Sequence, residues 1–167
     1  MELAESGLDL AAVSRVARNI DLRDIRVVQV AASCSPAPEG AIEPQITFNC
    51  KGALVTATQL NVACDYFFKA TSAGVQAALV NVTYLLRYEV VGDALAERDV
   101  DQFANVNGVY HSWPFLRQFL FDITAKMGLP PLTLPVFQVL PKKKTVRSDQ
   151  QPLPKKRKPA PRKALSE

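Results

Sequence analysis

Between residues 78 and 90 the chain alternates without a break. Ala78, Val80, Val82, Tyr84, Leu86, Tyr88 and Val90 share one parity, while Asn81, Thr83, Arg87 and Glu89 fall on the other. That period of two predicts an antiparallel strand with one buried and one wetter face. An earlier strand runs from about Asn61 to Thr71, with Val62, Cys64, Tyr66 and Phe68 on one face, and the short turn Ser72-Ala73-Gly74 joins the two as a hairpin. Before it, Ile46, Phe48 and Cys50 alternate with Thr47, Asn49 and Lys51, and Lys51-Gly52 marks a bulge or bend ahead of Ala53 to Thr56. The β-branched run Ile25 to Val30, bounded by Ser33-Cys34-Ser35-Pro36, predicts a first strand. Between them, Ser35 to Pro44 holds three prolines and a glycine and reads as a long loop of the kind that carries function.

The period changes over residues 107–137. At about 100° per residue, Phe115, Leu116, Phe119, Leu120, Ile123 and Met127 fall on one broad arc of a helix. Phe121 and Ala125 project from a second sector, set apart by Arg117 and Thr124 on one side and Gln118 and Asp122 on the other. Two apolar sectors need two surfaces: the first is the helix's own domain, and the second, Phe121 and Ala125, is expected to meet a partner chain together with Phe119 at the edge of the first arc. Gly128 ends the helix and Pro130-Pro131 prevents it resuming. Pro114 is unstrained if the helix begins near Tyr110 and kinks it if the helix begins nearer Asn107. The stretch 92–107, with Asp93, Glu97, Asp99 and Asp101, reads as a polar connector, and 132–137 as extended. Residues 8–18 have the pattern of a short helix capped by Asp9, or of a frayed terminus. Four strands followed by a helix give an α+β class.

Charge is unevenly spread. Residues 141–167 contain ten Lys/Arg against two Asp/Glu, a net of +8 in a chain of +4, so residues 1–140 carry −4. The expected organisation is an N-terminal extension over 1–18, a folded domain over 19–140 and a disordered Pro/Lys/Arg-rich tail over 141–167. The acidic N-terminus lacks the apolar core of a secretory signal, no stretch is long enough to span a bilayer, and Cys34, Cys50 and Cys64 form no C-x-x-C. A reducing cytoplasmic setting follows, with the thiols as small core side chains.

Candidate chemistry is sparse. The one histidine, His111, has no catalytic partner at helical spacing, and one His with scattered Cys makes no metal set. No phosphate-cradling glycine motif occurs. No enzyme activity and no cofactor is expected. Pro154-Lys155-Lys156-Arg157-Lys158 resembles a nuclear localisation signal or nucleic-acid arm, but no aromatic residue interleaves the positive charges, so weak non-specific contact with nucleic acid or an acidic surface is the most it predicts. An oligomeric adaptor acting on nucleic acid through that tail is the competing class.

The run Pro114-Phe115-Leu116-Arg117, then Gly128-Leu129-Pro130-Pro131-Leu132-Thr133-Leu134-Pro135-Val136-Phe137, resembles the SecB family of export chaperones. The loop with Pro36, Pro38 and Pro44 is similar to that family's crossover loop, and Arg23-Asp24-Ile25 to its first-strand start. The resemblance covers roughly residues 19–137. It implies a homotetramer built as a dimer of dimers, with sheets outside and long helices between them, that binds unfolded preproteins in apolar grooves without ATP and passes them to SecA. Three departures stand out: the family's second helix is replaced by Pro141-Lys142-Lys143-Lys144, the N-terminal segment is longer, and the tail is basic. Some divergent SecB-like proteins are chaperones for the antitoxin of a toxin–antitoxin pair, which gives the alternative client. Ile42, Ile46, Phe48, Tyr66, Phe67 and Phe68, beside the long loop, with Trp113 and Phe115 at the helix start, form the expected client-binding groove.

Overall fold

The computed structural model describes residues 9–35 and 40–137. The expectation of a disordered tail therefore lies outside the described residues, as do Pro36 and Pro38. Helix α1 (Leu10–Ala17) is capped by the Asp9 carboxylate, which accepts from the Ala11 and Ala12 amides, and buries Ala12, Val13 and Val16. Four antiparallel strands follow: β1 (Ile20–Cys34), β2 (Ile42–Thr56), β3 (Gln59–Ser72) and β4 (Val75–Val90), in the spatial order β1-β4-β3-β2. β2, β3 and β4 form a meander, and β1 reaches its place beside β4 only by crossing to the opposite edge.

β3 and β4 have the alternation seen in the sequence, with Leu60 to Ala70 and Ala78 to Tyr88 burying one parity. Their turn places Ala73 and Gly74 at φ 49° and 78°, the paired positive values of a tight hairpin turn. β1 and β2 are longer than the sequence indicated. Ile42 and Pro44 belong to β2 rather than to the loop, and Pro44 is tolerated because β2 is an edge strand. No bend occurs at Lys51-Gly52; the register shift lies between Leu54 and Thr56. Gly52 instead lets a helix approach, since a β-carbon there would stand 2.4 Å from Val100 Cγ1.

That helix corrects the reading of 92–107 as a connector. Residues from Glu97 onward are helical: α2 (Glu97–Phe103), a π turn (Ala104–Gly108) and α3 (Val109–Lys126) follow one another directly. Of the acids taken as loop composition, Glu97 and Asp99 lie in the first turn of α2 and complement the helix N-terminus, while Asp93 precedes the helix. Asp99 also pairs with Arg15 of α1 at 2.8 Å. Val100, Phe103 and Ala104, at helical spacing, supply the buried face. Pro114 is thus interior to α3. Gly108, at the end of the π turn, presses backbone onto β3, with its missing β-carbon 2.8 Å from Val62 Cγ1.

α3 buries Trp113, Leu116, Leu120 and Thr124, while Phe119, Ile123 and Met127 are half-buried and Phe115 is exposed. Phe121 and Ala125 lie on the exposed side. Gly128 at φ 73° closes the helix, its amide donating to the Ala125 carbonyl and that of Leu129 to Thr124, the paired bonds of a left-handed helix cap. The chain then returns along α3. The Leu132 amide donates to Thr124 Oγ1, Arg117 Nε to the Leu134 carbonyl, and Trp113 Nε1 to the Pro135 carbonyl.

Candidate functional site

In an antiparallel pair, directly opposed residues share a face. Leu22, Ile25, Val27 and Val30 of β1 oppose Tyr88, Leu86, Tyr84 and Val82, which are all core residues. β1 should therefore be equally covered. It is not: Leu22 is 40%, Val27 43% and Val30 47% exposed. The helical layer stops over β4 and leaves an apolar ledge on β1.

The ledge faces the first half of α3 across a cleft of about 380 Å³, lined by Leu22 and Ile25 from β1, Tyr110, His111, Trp113, Pro114, Phe115 and Arg117 from α3, and Val136 and Phe137 from the returning segment. Each wall has a definite support. Trp113 is buried by Phe137 at 5.5 Å and Tyr66 at 6.3 Å between ring centroids. Tyr66 bonds Ser112 Oγ at 2.6 Å. Because the Ser112 hydroxyl proton goes to the Gly108 carbonyl, the Tyr66 phenol is the donor to Ser112. Burial pushes the Tyr66 and Tyr88 phenols up, so both stay protonated. His111 Nδ1 meets the Tyr88 hydroxyl at 2.9 Å, and burial lowers its pKa, keeping the imidazole neutral. A smaller cleft of about 260 Å³ lies on the other flank of α3, among Pro114, Arg117, Gln118, Phe121 and Leu132 to Leu134.

The 380 Å³ cleft is suited to holding an apolar segment by shape and buried area. Among the described residues no three His, Cys, Asp or Glu side chains gather to hold a metal ion, and no helix is long and apolar enough to cross a membrane. Cys50 and Cys64 are opposed on β2 and β3 and buried; its bond to Cys64, and burial, hold the Cys50 thiol in its protonated form.

No family model matches the chain. A curated relative, the SecB-like chaperone Rv1957 of Mycobacterium tuberculosis strain H37Rv, is 24% identical over 152 residues, covering 77% of this chain and 84% of the relative. MT2006, the SecB-like chaperone of strain CDC 1551, matches to the same extent. The solved structure of Rv1957 in complex with a ChAD peptide from the Rv1956 HigA1 antitoxin aligns with a TM-score of 0.70 at 21% identity, over 78% of this chain and 100% of that one. The fold is SecB-like, and these relatives support a divergent SecB-like member.

The SecB-like fold distributes the residues expected to form the groove. Trp113 and Phe115 meet at the cleft. Tyr66 and Phe68 are core residues, 1% and 2% exposed, and Tyr66 supports the cleft from beneath rather than lining it. Ile42, Ile46 and Phe48 are half-buried on β2, at the edge opposite β1, with Phe48 6.0 Å from Tyr66. Phe67 points to the other side of the sheet, where it is exposed. Leu22, Ile25, Tyr110, Val136 and Phe137 were not anticipated. For Leu22 the signal was the Ile20-x-Leu22 alternation, but only the register shift between Leu22 and Asp24 puts Ile25 on the same face; for the last two, it was the Leu-x-Leu-Pro-Val-Phe run whose length allows a return along the helix.

Proposed function

We propose that this SecB-like protein is an ATP-independent holdase that binds an extended apolar stretch of unfolded polypeptide in the cleft between β1 and α3. The observation that carries this reading is the exposed ledge of Leu22, Val27 and Val30, with half-buried Ile25 among them, opposite the exposed rings of Tyr110 and Phe115. A monomeric domain rarely leaves so continuous an apolar strip to water. The protein acts by binding, without catalysis or cofactor, in the cytoplasm. The exposed Phe121 sector supports assembly through α3 into a homotetramer. Among clients, an antitoxin is favoured over a SecA-bound export precursor, because the solved SecB-like neighbour carries an antitoxin peptide.

The test is suppression of light scattering by a chemically denatured model client diluted into a few-fold excess of purified protein without nucleotide. Wild type should suppress aggregation. Leu22→Ser combined with Phe115→Ser should lose most of that effect while keeping the wild-type circular dichroism. Absence of suppression by wild type at any excess rejects the reading.

A further inference from the structure

Arg117 differs from the paired arginines of the sheet and α1. Arg15, Arg23, Arg26 and Arg87 each sit against a carboxylate. Arg117 is half-buried, and its one protein partner among the described residues is the neutral Leu134 carbonyl, at 2.9 Å from Nε. Both terminal nitrogens are left as unused donors. The side chain lines both clefts flanking α3, and among the described residues no carboxylate lines either one. His111, the other titratable base there, is bonded to Tyr88 and kept neutral by burial. The cleft is therefore apolar with a single positive charge at its side. A guanidinium partly removed from water and holding only a neutral acceptor is matched by a planar carboxylate, which it binds through two parallel hydrogen bonds.

We propose that Arg117 reads an acidic side chain carried within the apolar segment of the bound polypeptide. The inference rests on the cleft being the polypeptide site. An extended segment held along the β1 ledge presents side chains to Arg117 at every other position and its terminus at most once, which favours a side-chain carboxylate over a chain terminus. The apolar flanks supply affinity and the carboxylate sets register along the cleft. A segment of the same hydropathy without the acid binds in shifting registers and more weakly.

Two dye-labelled, C-terminally amidated peptides of about ten residues test this. They share aromatic and aliphatic flanks and differ only in a central Asp or Asn; binding to the full chain is followed by fluorescence anisotropy. The Asp peptide should bind about tenfold more tightly, equivalent to about 1.4 kcal/mol, with the gap narrowing as salt is raised. Arg117→Gln should bring the Asp peptide to the Asn level and leave the Asn peptide within about twofold. The wild-type comparison needs no variant, so misfolding of Arg117→Gln cannot obscure it. Equal wild-type affinity for both peptides, with aggregation of a model client still suppressed, overturns the carboxylate proposal alone. Failure of both peptides to bind, with no suppression, overturns the cleft reading and this proposal together. Discrimination retained in Arg117→Gln, or loss of assembly mass in that variant, also overturns it, the latter by assigning the guanidinium to a second copy of the chain.

Discussion

Substituting alanine at Gly52 tests how closely the helical layer rests on the sheet. The added methyl would stand 2.4 Å from Val100 Cγ1 and 3.1 Å from the Val100 carbonyl. Val100 is 2% exposed, and a helical valine has one strongly preferred rotamer, so it cannot swing aside. α2 must lift or β2 must bend. Overpacking of this kind costs about 1–3 kcal/mol. Alanine returns about 0.5–1 kcal/mol by restricting the unfolded chain, which leaves a net loss of about 1–2 kcal/mol. Val100→Ala alone removes two buried carbons at about 0.8 kcal/mol each, or about 1.6 kcal/mol. Combined, the new methyl at position 52 occupies the space vacated at position 100, so the double variant should cost less than the sum of the singles by about 1–2 kcal/mol. Urea unfolding at one fixed protomer concentration, with midpoints and slopes compared, measures each corner of the cycle. Strict additivity, or a cost-free Gly52→Ala, would refute the close approach of α2 to β2.

The Tyr66–Ser112 pair should respond unequally. Tyr66→Phe leaves Ser112 bonded to the Gly108 carbonyl and should cost no more than about 1 kcal/mol, whereas Ser112→Ala strands a buried phenol and should cost about 1–3 kcal/mol, both read from thermal or urea unfolding. His111 should make stability depend on pH. Its folded pKa lies below the ordinary 6.5 because of burial, so the unfolded chain binds more protons in that window, and stability should fall as pH drops from about 7 through 6.5 toward the folded value. The carboxylates of Asp24 and Asp99, held low chiefly by hydrogen bonds to Arg26 and Arg15, titrate at more acid pH. His111→Gln should flatten the slope below pH 7, and an unchanged slope assigns it elsewhere.

Period-two alternation made β3 and β4 legible, because both strands are central and buried on one face, and a slip of one residue would expose Tyr66 and Phe68, or Tyr84 and Tyr88. The end of α3 was equally clear, since Gly128 and Pro130-Pro131 are local signals. α2 was missed for an informative reason. Its buried face needs only Val100, Phe103 and Ala104, and its acids serve the helix N-terminus and Arg15, so composition pointed to a loop while spacing pointed to a helix. The cleft was half legible. Trp113 and Phe115 were visible as helix-start aromatics, but pairing them with Leu22 and Ile25 requires the order β1-β4-β3-β2, and nothing local to β1 specifies which edge it joins. Tyr66 and Phe68, read as groove residues, lie buried under the helical layer and do not line the cleft.

That strand order also sets a sequence of events. β2, β3 and β4 close through the two-residue turns at 57–58 and 73–74 and pair with near neighbours, whereas β1 joins Ile20 to Val90 and Cys34 to Ala78. Loop-closure entropy favours the local meander first and the distant pairing afterwards. During synthesis β1 emerges before its partner exists, and its apolar run waits for β4. The cleft is bounded by Leu22 and Ile25 from the beginning of the domain and by Val136 and Phe137 from its end. A growing chain therefore has no complete cleft until Phe137 has emerged. A protein whose surface holds other chains' apolar segments acquires that surface only when its own folding is complete, and so does not compete with its clients for itself.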